Sequence, residues 1–369
     1  MTDISIEVVA VGAFASVQDC GRRGYRRIGV PWSGVLDPQL MRIANALAGN
    51  VEGAPVIECF DGGLRLAARG AAVRIAVTGD AVIEHESAGE RRVLASWRSM
   101  SLADGDMLRI RRMTSGRIAV VAVEGLELPL VLGSASTYAR AALGGLDGRP
   151  LRAGQRLPVP PASVRPELLL AEPPKPTGDP VRVVAGPQAD HFTDAVRAAF
   201  VDADYLVSAE ADRMGVRLQG PALAHVGAPE IVSDATVPGS IQVPGSGQPI
   251  VLLADAQTAG GYPKIGTVVS ADLPRLAAAR PGQRIRFAWV DATVGEALAR
   301  SADSHTRTLL KSLRPLLSAG IDESALYAGN LVTGFIDAMA PEFAHDDTAV
   351  AAPFLPALPR PYDEDQPQR

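Results

Sequence analysis

Residues 242–267 read QVPGSGQPIVLLADAQTAGGYPKIGT, which places a short apolar strand, residues 249–253, between two loops rich in glycine and proline. Glycine lets backbone N–H groups approach a ligand closely, and proline fixes the shape of a loop. The polar side chains around the strand favour a site for a small polar molecule on the rim of a β-structure. These side chains are Gln242, Asp255, Gln257, Thr258, Tyr262 and Lys264. The alternative interpretation is a pair of tight turns around a barrel strand.

A second candidate site is the loop of residues 18–37, which is dense in glycine and arginine. Its guanidinium groups suit the oxygen atoms of a carboxylate or a phosphate. The arginines are Arg22, Arg23, Arg26 and Arg27, and Tyr25, Trp32 and Ser33 add aromatic and hydroxyl groups. The alternative is that some of these arginines form structural ion pairs with Asp19, Asp37 or Glu58.

The spacing of apolar residues predicts a mainly β protein with some α-helix. Residues 4–11 alternate between apolar and polar, and residues 56–123 form short segments separated by Gly or Asp turns: VIECF, LRLAA, AVRIAVTG, RVLASW, MLRIRR and GRIAVVAVEG. Such short, regularly spaced strands are typical of a sandwich or barrel. Further strands are predicted at residues 205–207, 216–218, 241–243, 250–253, 267–270 and 284–289.

Four helices are predicted between and after these strands. Asp37 followed by Pro38 is a helix start, and Gly49-Asn50 is a helix end. The other helices are predicted at residues 191–200, 295–317 and 330–339.

Composition shifts predict five segments. The proline-rich stretch at residues 158–180 is predicted to be a stiff linker. The pattern R-x-G-x-R-x-x-G occurs twice, beginning at Arg22 and at Arg213. We therefore expect two related β domains, followed by helices and an acidic, proline-rich tail that is disordered. The predicted segments are 1–157, 158–180, 181–292, 293–345 and 346–369.

The overall charge and cysteine usage exclude several protein classes. A net charge of −5 argues against a general nucleic-acid or anionic-membrane binder, and the apolar runs are too short for a membrane helix. Two cysteines without CxxC spacing argue against a disulfide scaffold or a cysteine zinc site. The N-terminal residues lack the pattern of a secretory signal, so we expect a cytoplasmic protein.

Familiar catalytic and nucleotide-binding motifs are missing from the sequence. It contains no P-loop, no G-x-G-x-x-G before a helix and no G-x-S-x-G. The five histidines never fall at metal-ligand spacing, so we expect no metal site. Cys20 has no adjacent histidine, which argues against a nucleophilic role.

Two long stretches resemble a known family. VQDCGRRGYRRIGVPWSGVLDPQLMRIANALAGN (residues 17–50), with IECFDGG after it, resembles the N-terminal signature of the biotin-dependent carboxyltransferases that include the C subunit of 5-oxoprolinase. PGSIQVPGSGQPIVLLADAQTAGGYPKIGTV (238–268), followed by DLPRLAAARPGQRIRF, resembles the C-terminal signature, and SAEADRMG (208–215) lies between them. The resemblance covers about residues 5–300.

This resemblance implies two tandem cyclophilin-like β-barrel domains with C-terminal helices. It implies that the chain acts with the B subunit of 5-oxoprolinase, bound directly, and with the A subunit, using ATP with Mg, to open 5-oxoproline to L-glutamate. The alternatives are the carboxyltransferase component of a urea-type carboxylase, which would need biotin, and a non-enzymatic antagonist of a histidine-kinase inhibitor. The chain carries no biotin-carrier segment, which favours the oxoprolinase interpretation.

The motifs and the chemistry together suggest roles for individual residues. Opening a lactam requires activation of its carbonyl oxygen, and cationic or amide donors would stabilise the developing charge. The residues predicted to act in catalysis are Arg22, Asp255, Gln257 and Lys264. Those predicted to bind substrate are Gln18, Asp19, Gly24, Ser33, Asp37, Arg213, Gln242, Gln248, Thr258, Gly260, Gly261 and Tyr262.

Overall fold

Short antiparallel strands dominate the computed structural model, which describes residues 3–175, 178 and 180–316. The strands up to residue 169 are β1 (Ser5–Val11), β2 (Phe14–Gln18), β3 (Val56–Phe60), β4 (Leu64–Arg69), β5 (Val73–Thr78), β6 (Ala81–Ser87), β7 (Glu90–Ala95), β8 (Arg98–Leu102), β9 (Met107–Met113), β10 (Ile118–Val123), β11 (Arg156–Pro158) and β12 (Leu168–Leu169). The later strands are β13 (Val181–Ala185), β14 (Tyr205–Val207), β15 (Gly215–Gln219), β16 (Asp234–Ala235), β17 (Ser240–Gln242), β18 (Ile250–Leu252), β19 (Ala259–Gly260), β20 (Lys264–Val268), β21 (Arg284–Ile285), β22 (Phe287–Trp289) and β23 (Arg314–Pro315). Together with four α-helices in the described residues, they confirm the mainly β fold class.

Two antiparallel sheets form the first half of the fold. Their strand orders are β11-β1-β4-β9-β6-β7 and β2-β3-β10-β5-β8-β12-β23. An apolar core that includes Ile6, Leu66 and Ile75 draws side chains from both sheets. Strands β5 and β10 are buried along their whole length, and alternate side chains of each enter two different core clusters. This burial explains why both strands read as continuous apolar runs in the sequence.

The third sheet carries the glycine-framed stretch of residues 242–267. Its order is β21-β14-β15-β18-β17-β20-β13-β22, with β13 and β22 parallel. One face packs into the second core, where the rings of Phe200 and Phe287 stack 4.7 Å apart. Strand β15 has a strict alternation: Val216 and Leu218 are buried in that core, whereas Arg217 and Gln219 are exposed on the opposite face.

The helices cover the sheets and join the two halves of the chain. They are α1 (Pro38–Ala48), α2 (Asp194–Asp202), α3 (Leu273–Ala277) and α4 (Ala292–Lys311). Helix α1 begins and ends as predicted, because Asp37 accepts hydrogen bonds from two backbone N–H groups of its first turn and Gly49 adopts φ 85°. Helix α4 packs against α1, and Asp303 accepts a hydrogen bond of 2.8 Å from Arg42. None of the helices in the described residues is long and apolar enough to cross a membrane.

Several predicted boundaries differ from the structure for identifiable reasons. Helix α2 begins at Asp194 instead of residue 191, because the Thr193 hydroxyl accepts a hydrogen bond from the backbone of Val196. Strand β20 begins at Lys264, inside the predicted glycine loop, since the pairing with β17 extends to that residue. Helix α4 ends at Lys311, six residues before the predicted end.

The predicted linker and C-terminal region lie only partly within the described residues. Within the linker, Leu169 pairs with Arg98 of β8, so this part of it belongs to a sheet. The helix predicted at residues 330–339 and the tail at 346–369 lie outside the described residues. The domain boundaries stay predictions.

Candidate functional site

A groove crosses the outer face of β15 and β18. It consists of two adjoining pockets, each with a volume of about 400 Å³. Both pockets are lined by Glu210, Arg217, Ile250 and Tyr262, so they form one continuous surface depression. Strand register explains the shared floor, because Arg217 lies opposite Ile250 on the neighbouring strand. A groove of this size can hold a small organic molecule.

Two glutamine amides form one end of the groove. Gln257 donates a hydrogen bond of 3.2 Å from its Nε2 to Oε1 of Gln242, which is only 2% exposed. Nε2 of Gln242 is buried and has no hydrogen-bond partner in the described part of the chain. Gly260 leaves room for this amide, since a Cβ atom at that position would lie 2.3 Å from Nε2 of Gln242 and would displace it. The fold thus brings together three residues that the sequence predicted for one site: Gln242, Gln257 and Tyr262.

The charged side chains of the groove are evenly balanced in sign. Nη2 of Arg140 lies 3.9 Å from Oδ2 of Asp212, and Nε of Arg217 lies 3.3 Å from Oε2 of Glu210. All four side chains are more than half exposed. Arg140 comes from the first half of the chain, whereas the other three precede or belong to β15. Solvent-exposed pairs of this kind contribute little to stability, so their partners can be exchanged for a ligand.

A buried ion cluster joins the two signature regions. The guanidinium of Arg213 forms ion pairs with Glu58 and with Asp255, whose Oδ2 lies 2.9 Å from Nε. Arg213 also donates a hydrogen bond of 2.6 Å to the carbonyl oxygen of Gly34, and Glu58 accepts one of 2.8 Å from the N–H of Leu36. One arginine therefore fixes the loop of the N-terminal signature against the strand end of the C-terminal signature.

Electrostatics in this cluster is governed by burial and by the opposite charges. Burial raises the pKa of Glu58, and the nearby charge of Arg213 partly offsets this increase. Burial would lower the pKa of Arg213, but attraction to Asp255 and Glu58 raises it above its ordinary value. Arg213 is thus a permanently charged group whose removal would leave two buried carboxylates without a cation.

Asp19 organises the arginine-rich loop. Its carboxylate accepts hydrogen bonds from the N–H groups of Gly21 and Ala135 and from the hydroxyls of Ser134 and Ser136. Gly34 lies against this turn, and a Cβ atom there would come within 2.9 Å of the Gly21 nitrogen.

Arg22 is fully buried beside Asp19. Its Nη2 donates to the carbonyl oxygen of Ser136, whereas Nη1 has no hydrogen-bond partner among the described residues. Burial lowers the pKa of Arg22. Gln18 donates a hydrogen bond of 2.9 Å to Ser16. Neither Arg22 nor Gln18 is among the residues that line the groove.

Lys264 is also buried, at 2% exposure. Its Nζ lies 2.9 Å from Oδ2 of Asp234, and this hydrogen bond, together with those from Gln188 and the Ala235 backbone, lowers the pKa of Asp234 to about 2. Lys264 is not among the groove-lining residues either.

The remaining residues predicted to bind substrate lie at several places. Gln248 lines the second pocket, and its amide is bound to the backbone of Gly220 at both ends. Thr258 and Gly261 accept hydrogen bonds through their carbonyl oxygens from Thr236 and Ile231. Ser33 is buried in a left-handed conformation, Gly24 is exposed, and Asp37 begins α1.

Two further possibilities for a site are a reactive Cys20 thiol and a metal centre. Burial raises the pKa of the Cys20 thiol, which disfavours the reactive thiolate. Among residues 3–175, 178 and 180–316, no group of three or more His, Cys, Asp or Glu side chains is placed to hold a metal ion.

Sequence reasoning missed the charged residues of the groove. Glu210 and Asp212 lie in the segment that resembles the family, and Arg217 alternates with core residues along β15, so a strand-face argument could have found these three. Arg140 reaches the groove from 70 or more residues earlier, within the short 3-10 helix Ala139–Ala141, and carries no local signal.

Comparison with known proteins gives a consistent result. The chain is 34% identical over 311 residues to the C subunit of Escherichia coli 5-oxoprolinase, covering 81% of this chain and 94% of that protein. It is 37% identical over 284 residues to the C subunit of Haemophilus influenzae 5-oxoprolinase, covering 76% and 90%. Urea amidolyase of Saccharomyces cerevisiae is 29% identical over 329 residues, and the match covers 83% of this chain but only 18% of that protein.

Solved structures and a family description agree with these relatives. The crystal structure of Kluyveromyces lactis urea carboxylase is 28% identical with a TM-score of 0.75, over 86% of this chain and 30% of that chain. The family described as carboxyltransferase domain, subdomain A and B, matches residues 28–289. The chain therefore belongs to this carboxyltransferase domain family.

Proposed function

We propose that this chain is the C subunit of an ATP-dependent 5-oxoprolinase, which acts with the B and A subunits to open 5-oxoproline to L-glutamate. The observation that supports this proposal is the extent of the matches. The chain spans 94% and 90% of two proteins named as 5-oxoprolinase C subunits, but 18% of a urea amidolyase.

The groove over β15 and β18 is the proposed substrate site. The amides of Gln242 and Gln257 would donate hydrogen bonds to the lactam carbonyl oxygen, where negative charge develops as the ring opens. Arg140 or Arg217 would pair with the substrate carboxylate, and Tyr262 would bound the ring at the junction of the two pockets. These contacts would fix the lactam in one orientation.

ATP would supply the activation of the lactam oxygen by phosphorylation. The groove does not suit a triphosphate, because its two carboxylates would repel the several negative charges of the phosphates. Under this proposal ATP and Mg bind elsewhere in the complex.

Arg22, Asp255 and Lys264 are themselves buried and held by partners, which suits positioning residues. Asp255 is fixed by Arg213, and Lys264 by Asp234. Arg22 supports the loop that carries Ser136, four residues before Arg140. These residues would act on the reaction by holding the groove in shape, whereas Gln257 would contact the substrate itself.

A second candidate is the carboxyltransferase component of a biotin-dependent, urea-type carboxylase. It is favoured by the TM-score of 0.75 to the urea carboxylase structure. In that case biotin would arrive on a separate protein and deliver a carboxyl group in the same groove.

The test is reconstitution of this chain with its candidate B and A subunits and measurement of ATP hydrolysis with and without 5-oxoproline. We expect stimulation that requires this chain and that is lost in Gln257→Ala but kept in Gln283→Ala, an exposed glutamine outside the groove. Unchanged hydrolysis in a complex that forms would refute the substrate, and carboxyl transfer from biotin would then be assayed. Full activity in Arg22→Ala and Lys264→Ala would refute their positioning role.

A further inference from the structure

The groove presents more charge than a lactam requires. 5-Oxoproline carries one carboxylate and an uncharged ring nitrogen, so one arginine would suffice to bind it. The groove has two arginines, Arg140 and Arg217, and two carboxylates, Asp212 and Glu210. For a ligand whose only charge is negative, the two carboxylates would be repulsive.

Ring opening changes the charge pattern of the ligand. Cleavage of the lactam C–N bond by water produces a second carboxylate from the carbonyl carbon and a protonated amine on the α-carbon. The open form therefore has two negative groups and one positive group, which complement two arginines and an acidic partner. The four groove side chains are each more than half exposed, so their mutual pairs can give way to these ligand groups.

A buried amide provides an independent indication of an acceptor in the same pocket. Gln242 is 2% exposed, and its Nε2 donor has no partner among the described residues. A buried donor without an acceptor is unfavourable, so a ligand oxygen at this end of the groove would be favourable. A carboxylate oxygen is a stronger acceptor than a lactam carbonyl oxygen.

We propose that this groove is a binding site for a zwitterionic amino dicarboxylate, with its two carboxylates towards Gln242 and the arginines and its ammonium group between Glu210 and Asp212. The inference rests on the proposed function, because it adds the ring-opened product to the lactam as a second, more tightly bound ligand of the same groove. The site then retains L-glutamate after ring opening, and L-glutamate inhibits the complex by occupying it.

Calorimetric titration of the full chain, alone and in the reconstituted complex, tests this site with three probes. L-Glutamate, glutarate and 5-oxoproline differ in the ammonium group and in the number of carboxylates. We expect L-glutamate to bind about tenfold more tightly than glutarate, as one charge-assisted contact predicts, and also more tightly than 5-oxoproline. Equal affinity for L-glutamate and glutarate in both preparations would overturn the proposal.

The double variant Glu210→Gln, Asp212→Asn removes both negative charges with little change in shape. Asparagine at position 212 keeps the side-chain oxygen that accepts hydrogen bonds of 2.8 and 3.2 Å from Met214 and Gly215. We expect the preference for L-glutamate over glutarate to disappear in this variant, while Glu90→Gln, an exposed change on the β6–β7 hairpin, preserves it. A preference that survives in the double variant would overturn the proposal.

Failure of this inference is distinguishable from failure of the proposed function. If 5-oxoproline stimulates ATP hydrolysis but the chain shows no preference for L-glutamate, the amino dicarboxylate site is overturned and the oxoprolinase function stands. If the preference and its loss in the double variant are found without stimulation by 5-oxoproline, the binding site stands and the oxoprolinase function is overturned.

Discussion

Replacing Arg213 by methionine would expose how much the buried ion cluster contributes to stability. Arg213 is 6% exposed, Glu58 is fully buried, and Asp255 is 7% exposed. The variant keeps a side chain of similar length but leaves two buried carboxylates with no cation between them. Removing one partner of a buried ion pair costs about 3–5 kcal/mol, which is a large part of the roughly 5–15 kcal/mol that stabilises a folded domain.

The free energy of unfolding that Arg213→Met loses should be smaller at lower pH. The pKa of Glu58 is already raised by burial in the native protein, and without the nearby guanidinium nothing offsets this increase. A group with a raised folded pKa contributes stability below its unfolded pKa, and this contribution is lost as the pH rises through the folded pKa. The deficit of Arg213→Met should therefore shrink as the pH falls from about 8 to about 5.5.

Urea unfolding at the two pH values measures this deficit. Arg217→Met is the matched control, because Arg217 is an exposed arginine paired with Glu210, and we expect a change of no more than about 1 kcal/mol. Adding Glu58→Gln to Arg213→Met should restore part of the stability at the higher pH, since it removes one of the uncompensated charges. A deficit below about 1 kcal/mol, or an equal deficit at both pH values, would refute the electrostatic account.

Three further predictions concern separate parts of the fold. Desolvation raises the pKa of Asp37 to about 6, so the contribution of the protonated Asp37 to stability is lost as the pH rises from about 4 through 6. The Asp37→Asn variant should not show this loss. In urea unfolding at about pH 7.5 it should be more stable than wild type by about 1–2 kcal/mol. A less stable Asp37→Asn at that pH would contradict this. Gly260→Ala should push the Gln242 amide away and lower 5-oxoproline-stimulated ATP hydrolysis about tenfold or more. The control Gly178→Ala should leave this rate unchanged, because a Cβ atom at position 178 has no neighbouring atom within 4 Å. Equal rates in the two variants would count against a role of the Gln242 amide. Because Cys59 is buried and its pKa is raised to about 12, a disulfide reagent at about pH 8 should modify Cys59 only after unfolding, whereas the exposed Cys20 should react in the folded protein. Modification of Cys59 in the folded protein would be inconsistent with this packing.

The parts of the fold that were predictable are those with a local physical cause. Helix α1 has an Asp cap, a proline at its first position and a glycine at its end, and all three signals lie within thirteen residues. The fully buried strands β5 and β10 are visible as apolar runs because both of their faces are covered. Boundaries set by strand pairing, such as the start of β20 at Lys264, depend on the partner strand and were placed wrongly.

The candidate site was predictable only in part for a similar reason. Gln242, Gln257 and Tyr262 come from one glycine-framed stretch, so composition alone brought them together. The pairing of Arg213 with Glu58 spans 155 residues, and nothing near either residue identifies the other as its partner. The same holds for Arg140, whose place beside Asp212 is decided by how the two halves of the chain pack.

The long span between Glu58 and Arg213 has a consequence for synthesis of the protein. Glu58 leaves the ribosome 155 residues before Arg213, which at about 5–20 residues per second corresponds to roughly 8–31 s. During that interval β3 cannot bury the Glu58 carboxylate with its native cation, and the loop through Gly34 lacks its anchor. The nascent N-terminal half must therefore keep this edge hydrated, and the apolar cluster that Val56 and Phe60 of β3 share with the second half closes only after that half has emerged.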